Sequence, residues 1–227
     1  IAKKYLATDP QLGNKRIRKG SLIRVQKNNQ NQWKITQLPE VEAALISIDA
    51  NDGKIRALVG GFDFYLNQFN HVTQAWRQPG SSFKPFIYSA SLEKGFTPAT
   101  IINDAPIYFD AAQTGSKAWE PKNFDGKFGG PIRMRVALAQ SKNLASIRIL
   151  QAIGPRYAQD YIARFGFDSN RHPPYLPMAL GAGSVTPLQM ASGYAIFANG
   201  GYKVEPYFIE RVEDDKGNIV QQVDPLV

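Results

Sequence analysis

A domain of mixed helix and strand, its strands held in local hairpins, is what this chain of 227 residues predicts. Three observations lead there. Apolar runs at residues 44–49 and 55–59 flank Asn51-Asp52-Gly53, and Asp-Gly is a strong hairpin signal. Apolar residues recur at helical spacing after Ser81, across residues 144–153 and beyond Thr186. The length is enough to bury a full core, for one large domain or one domain with an appendage.

Taken in order, residues 1–40 read as a basic, β-rich linker or insert. Residues 21–25 and 33–36 alternate in polarity around a loop at 27–32, and Pro39-Glu40 forms a seam before a main domain over 41–227. The first forty residues hold nine Lys or Arg against Asp9 and Glu40, whereas the rest of the chain is close to neutral, although the whole carries +8. Such an arm suits an anionic polymer or membrane surface. No recognition motif supports nucleic acid, so no nucleic-acid partner is expected.

The mostly apolar strands at 44–49 and 55–59 predict a sheet covered by other elements. Gly60-Gly61 ends the second strand, and a loop leads to Pro79-Gly80. A helix capped by Ser81 follows, with Pro85 tolerated in its first turn and Phe86, Ile87, Ala90 and Leu92 as its buried stripe. Residues 97–130, rich in Pro, Gly, Asp and Asn, read as a long loop of the kind that carries function, in which Trp119, Asn123 and Phe124 either line a cleft or pin the loop. Helices at 133–140 and 144–153 are separated by Ser141-Lys142-Asn143 and closed by Gly154-Pro155. A further helix over 157–165 stops at Gly166. Thr186-Pro187-Leu188-Gln189 combines a capping box with proline at the first helical position, and a last hairpin spans 207–220.

Composition excludes several chemistries. With no cysteine there is no disulfide, thiolate metal site or cysteine nucleophile, and His71 and His172 are too few and too far apart for a histidine metal centre or a Ser-His-Asp triad. No run approaches a membrane span, and no signal-peptide pattern opens the chain, so any anchor is expected elsewhere.

What remains is Ser81-x-x-Lys84. A helix starting at Ser81 sets Lys84 one turn along on the same face, so a hydroxyl and an amine meet. A serine hydroxyl becomes a good nucleophile when a base takes its proton, and lysine can be that base once burial or nearby positive charge lowers its pKa. The bland alternative is a helix start with a solvated lysine. Ser141-Lys142-Asn143 has the same double reading: outer side chains projecting into a groove, or simply a helix cap.

Together these motifs carry a resemblance. Ser81-x-x-Lys84 followed by Ser141-x-Asn143, with Arg77-Gln78-Pro79-Gly80 ahead, Pro85-Phe86 behind, Trp119-Glu120-Pro121-Lys122-Asn123-Phe124-Asp125 and the stretch 181–199, resembles the transpeptidase domain of class A, bifunctional penicillin-binding proteins. The resemblance covers roughly residues 41–227. It implies an α+β fold of the penicillin-binding/serine β-lactamase type, with a five-stranded antiparallel sheet faced by helices and a helical subdomain. It implies a D,D-transpeptidase without cofactor or metal: Ser81 as nucleophile, Lys84 as base, Ser141 as proton relay, Asn143 and Trp119 as substrate contacts, and the Ser81 N–H as part of an oxyanion hole. The implied partners are peptidoglycan stem peptides, β-lactams and other cell-wall synthesis proteins. The implied setting is the periplasmic face of the inner membrane, with an anchor and a glycosyltransferase domain outside this chain.

One departure qualifies it. The family's Lys-Thr-Gly or Lys-Ser-Gly motif does not occur, and Lys216-Gly217-Asn218 lacks the hydroxyl. The expectation is a domain lacking its C-terminal strands, which alone neither folds fully nor acylates efficiently; an inactive relative is the other account. His71 stands where a basic residue is expected and is assigned no role. Two other functions stay open: a serine β-lactamase-like hydrolase, disfavoured because residues 169–204 hold no Asp or Glu to activate water, and a non-catalytic peptide or β-lactam-binding module.

Overall fold

The computed structural model describes residues 17, 20–36, 41–114 and 117–224. The basic residues ahead of Ile17 and the Pro39-Glu40 seam lie outside the described residues. The chain divides into two compact units, residues 1–42 and 43–227. In the first, β1 (Arg24–Lys27) and β2 (Trp33–Thr36) pair antiparallel from Arg24 with Thr36 to Lys27 with Trp33. Asn28 builds the turn, its side-chain oxygen accepting from the backbone N–H groups of Gln30 and Gln32 at 3.0 and 2.8 Å, which lets Asn31 adopt a φ of 59°.

The second unit is organised around one buried helix, α1 (Lys84–Glu93), entered through a 3-10 turn at Gly80–Phe83. Phe86, Ile87 and Ala90 are buried on it as the spacing predicts, but Leu92 is exposed, because the helix end runs out to the surface at Lys94-Gly95. Around α1 pack α4 (Asn143–Ile153), α5 (Pro155–Ile162) and α3 (Met134–Ala139). The Phe86 ring meets Phe83, Phe165, Phe167, Tyr194 and Phe197 with centroids 4.7 to 5.4 Å apart, the separations at which aromatic rings attract edge to face. Gly193, inside α6 (Pro187–Ala198), lets that helix close on the cluster: a Cβ there would stand 3.0 Å from Phe167 and 3.2 Å from Phe86. Thr186 and Gln189 form the expected capping box at the start of α6.

Residues 97–130 hold more than loop. A strand pair, β5 (Ile101–Asp104) and β6 (Gly130–Arg133), closes it antiparallel, with a short helix α2 (Ala111–Thr114) between. Among the described residues no five-stranded sheet is formed. Among the described residues β3 (Leu45–Ile48) pairs with β4 (Ile55–Val59), and β7 (Arg211–Glu213) with β8 (Ile219–Gln222), so the eight strands make four two-stranded ladders. Nor is the β3–β4 hairpin covered on both faces: α6 packs on β3, half-burying Ile46 and Ile48, while Leu45 and its partner Val59, on the opposite face, remain exposed.

Candidate active site

Ser81 does not cap a helix. It is the second residue of the 3-10 turn, whose cap position is Pro79, and α1 begins three residues later with Pro85 in its first turn. The tighter turn arises because Gly80 has a φ of 57°, which reverses the chain just before the serine. Three contacts pin it. The Gly80 N–H donates to the Gly181 carbonyl at 3.3 Å. The Tyr194 hydroxyl donates to the Ser82 carbonyl at 2.8 Å. The ring of Phe83, fully buried, stacks on that of His172 at 4.7 Å and 9°. Ser81 is left exposed, and its hydroxyl makes no hydrogen bond among the described residues.

Lys84, by contrast, is buried, with 1 % of the residue exposed. Its Nζ donates to the Ser141 carbonyl at 2.7 Å, to Ser141 Oγ at 3.0 Å and to Asn143 Oδ1 at 2.8 Å. None of the three is an anion. Burial therefore acts uncompensated and lowers the Lys84 pKa to about 8. The oxygens suit either protonation state: an ammonium donates to all three, whereas an amine donates to two and offers its lone pair to the Ser141 hydroxyl. Lys142 shows the opposite case. Asp125 at 3.0 Å and the fully buried Asp104 at 3.7 Å surround its Nζ, and the hydrogen bond it donates to Asp125, ahead of the Coulomb attraction, raises its pKa.

Ser141 sits between α3 and α4 with a φ of 53°, a left-handed conformation that side chains other than glycine and asparagine rarely adopt. That reversal turns both its carbonyl and its hydroxyl onto Lys84. α4 then starts at Asn143, and Lys142, at its cap position, makes no side-chain cap. The acceptor comes from elsewhere: Asn123 Oδ1 accepts from the backbone N–H groups of Asn143 and Leu144 at 2.8 and 3.3 Å.

Ser81, Ser141 and Asn143 line one cleft of about 350 Å³, together with Asn123, Phe124, Asp125, Gln140 and Lys142. The four motif residues singled out by the sequence thus converge, with Lys84 bonded to two of them. Trp119 does not line that cleft; it stacks on Phe109 at 5.5 Å and bridges to it through paired backbone bonds. Phe124 projects into solvent. Sequence reading missed the reach of Asn123, the pairing of Lys142 and the glycine contact under the turn. The Trp-Glu-Pro-Lys-Asn-Phe string carried the first of these, but nothing in it says which backbone its asparagine meets. Among the described residues no cluster of His, Cys, Asp or Glu can hold a metal ion.

Comparison with known proteins agrees in sequence and in shape. The family described as penicillin binding protein transpeptidase domain matches residues 43–226. Penicillin-binding protein 1A of Neisseria flavescens is 53 % identical over 217 residues, 96 % of this chain and 27 % of that protein. The crystal structure of penicillin-binding protein 1A from Haemophilus influenzae superimposes with a TM-score of 0.82 at 41 % identity, over 89 % of this chain and 30 % of that one. PonA1 of Mycobacterium tuberculosis in complex with penicillin V gives 0.69 at 26 % identity, over 81 % and 51 %. The chain spans about a quarter of the length of the curated relatives it matches.

Proposed function

Since this chain belongs to the penicillin-binding protein transpeptidase family, we propose that it houses the acyl-transfer site of a D,D-transpeptidase with Ser81 as nucleophile. The observation that carries the reading is the buried, uncompensated Lys84 amine, bonded to Ser141 and Asn143 at the edge of the cleft that Ser81 lines. Ser81 Oγ gives its proton to Lys84 Nζ and bonds to the penultimate D-alanine carbonyl of a stem peptide. The C–N bond to the terminal D-alanine breaks, and the leaving nitrogen takes a proton through Ser141. The amine of a second stem peptide then attacks the ester, and Ser81 Oγ regains its proton. The Ser81 N–H, at the start of the helical turn, supports the oxyanion. A β-lactam presents the same carbonyl but keeps its leaving group tethered, which leaves the serine acylated.

Hydrolysis is the weaker alternative. Among the described residues lining the cleft the one carboxylate is Asp125, and it is engaged by Lys142 Nζ and by the Lys127 N–H, both at 3.0 Å. The whole protein, by this reading, works at the outer face of the cytoplasmic membrane with an anchor and a glycosyltransferase domain in the same polypeptide. The test is intact mass of the full-length polypeptide before and after a fluorescent penicillin. One adduct that persists for minutes and disappears in Ser81→Ala is the expected result. Turnover within seconds favours the hydrolase, and cross-linking that survives Ser81→Ala favours a binding module.

A further inference from the structure

We infer that Asn123 is a positioning residue for the proposed acyl transfer, acting on Lys84 through Asn143. The inference rests on the reading of the site given above. The first turn of any helix leaves backbone N–H groups without intrahelical partners, and a Ser, Thr, Asp or Asn at the cap normally satisfies them. Here the cap residue is Lys142, which has no acceptor to offer. Asn123, 20 residues earlier in the chain, replaces it by accepting from Asn143 N at 2.8 Å and from Leu144 N. Its Nδ2 donates to Asp104 Oδ1 and to the Lys127 carbonyl, both at 2.8 Å. All four hydrogen-bonding positions of this buried amide are used, so it has one orientation only.

The neighbouring residue completes the hold. Asn143 Nδ2 donates to the Lys122 carbonyl at 2.8 Å, which turns Oδ1 of the same amide toward Lys84 Nζ. A flipped amide would present N–H to an ammonium. Lys122 and Asn123 therefore fix both the backbone and the side-chain direction of Asn143, and through it one of the three oxygens on the lysine nitrogen. Asp104, fully buried, anchors the far end by accepting also from the Gly129 N–H at 2.9 Å.

The experiment measures the penicillin acylation rate constant of the fraction that labels, together with the size of that fraction, in the full-length polypeptide. Asn123→Ala is expected to slow acylation by about 10²-fold, the penalty typical of a misplacement near 1 Å. Asn123→Asp retains the acceptor for α4 but sets a carboxylate against Asp104, and is expected to be slow as well. The exchange Asp104→Asn with Asn123→Asp restores the donor between the two positions and is expected to recover most of the rate, losing the Lys127 carbonyl bond and the Asp104 charge 3.7 Å from Lys142 Nζ. If Asn123→Ala labels a smaller fraction at the unchanged rate constant, Asn123 is merely structural and the inference fails. If Asn123→Ala does not fold, the decision passes to the aspartate pair, and an exchange no faster than Asn123→Asp alone refutes it. Wild-type protein that never labels at Ser81 removes the parent reading and this one with it; wild-type labelling with normal Asn123 variants removes this one alone.

Discussion

A Cβ added to Gly181 would stand 2.2 Å from the carbonyl oxygen of Gly80 and 2.7 Å from its nitrogen. No side chain fits there, and Gly181 also has a φ of 71°, so two independent penalties meet at one residue. Gly181→Ala is expected to push the serine turn outward, lower stability by roughly 2 kcal/mol and slow acylation. Chemical denaturation and penicillin labelling read the two effects on the same sample.

Acylation should follow the protonation of Lys84. Burial sets its pKa at about 8, so the free amine, the proposed acceptor of the Ser81 proton, is the minority form below that pH. The acylation rate constant is expected to fall roughly tenfold per pH unit below pH 8 and to level off above it. A rate flat from pH 6 to 9 would exclude Lys84 as the base.

Ser141 allows strain and chemistry to be separated. Ser141→Gly removes the cost of a left-handed side-chain-bearing residue, about 1 kcal/mol, whereas Ser141→Ala keeps that cost. Both lose the hydroxyl bonded to Lys84. The glycine variant is therefore expected to be the more stable by that margin, with acylation equally impaired in the two. Thermal unfolding beside a labelling time course checks the pair.

His172 gives the fold a pH limit. Its ring is buried against Phe83 with neither nitrogen hydrogen-bonded among the described residues, and burial lowers its pKa to about 4, with Asp168 opposing weakly. Between pH 6.5 and 4 the unfolded chain binds the proton and the folded chain does not, so stability falls as pH drops through that window. The loss is on the order of 3 kcal/mol. His172→Gln should flatten this part of the stability curve, measured by urea denaturation from pH 7 to 4.

What was legible in the sequence was local. The Asp-Gly hairpin, the proline-started helices and the Thr186 capping box each lie within a few residues, where backbone chemistry decides the outcome. Ser81, Lys84, Ser141 and Asn143 were picked out by spacing and do lie together. What stayed hidden depends on distant partners. Ser81 has the character of a cap, but the close approach of Gly181 favours a 3-10 turn instead. β5 and β6 consist of four residues each and include Asn103, Asp104, Gly130 and Pro131, residue types that read as loop; their pairing becomes favourable when α4 packs on β5 and α3 on both. Trp119, expected at the substrate, is engaged by Phe109.

The uncovered side of the β3–β4 hairpin has its own consequence. Leu45 and Val59 are 54 and 52 % exposed, and they pair directly across the adjoining strands. An apolar ribbon of this kind is adhesive in water. Handled alone at high concentration, the chain should bind hydrophobic dyes and form clusters that mild detergent disperses, whatever the state of its serine.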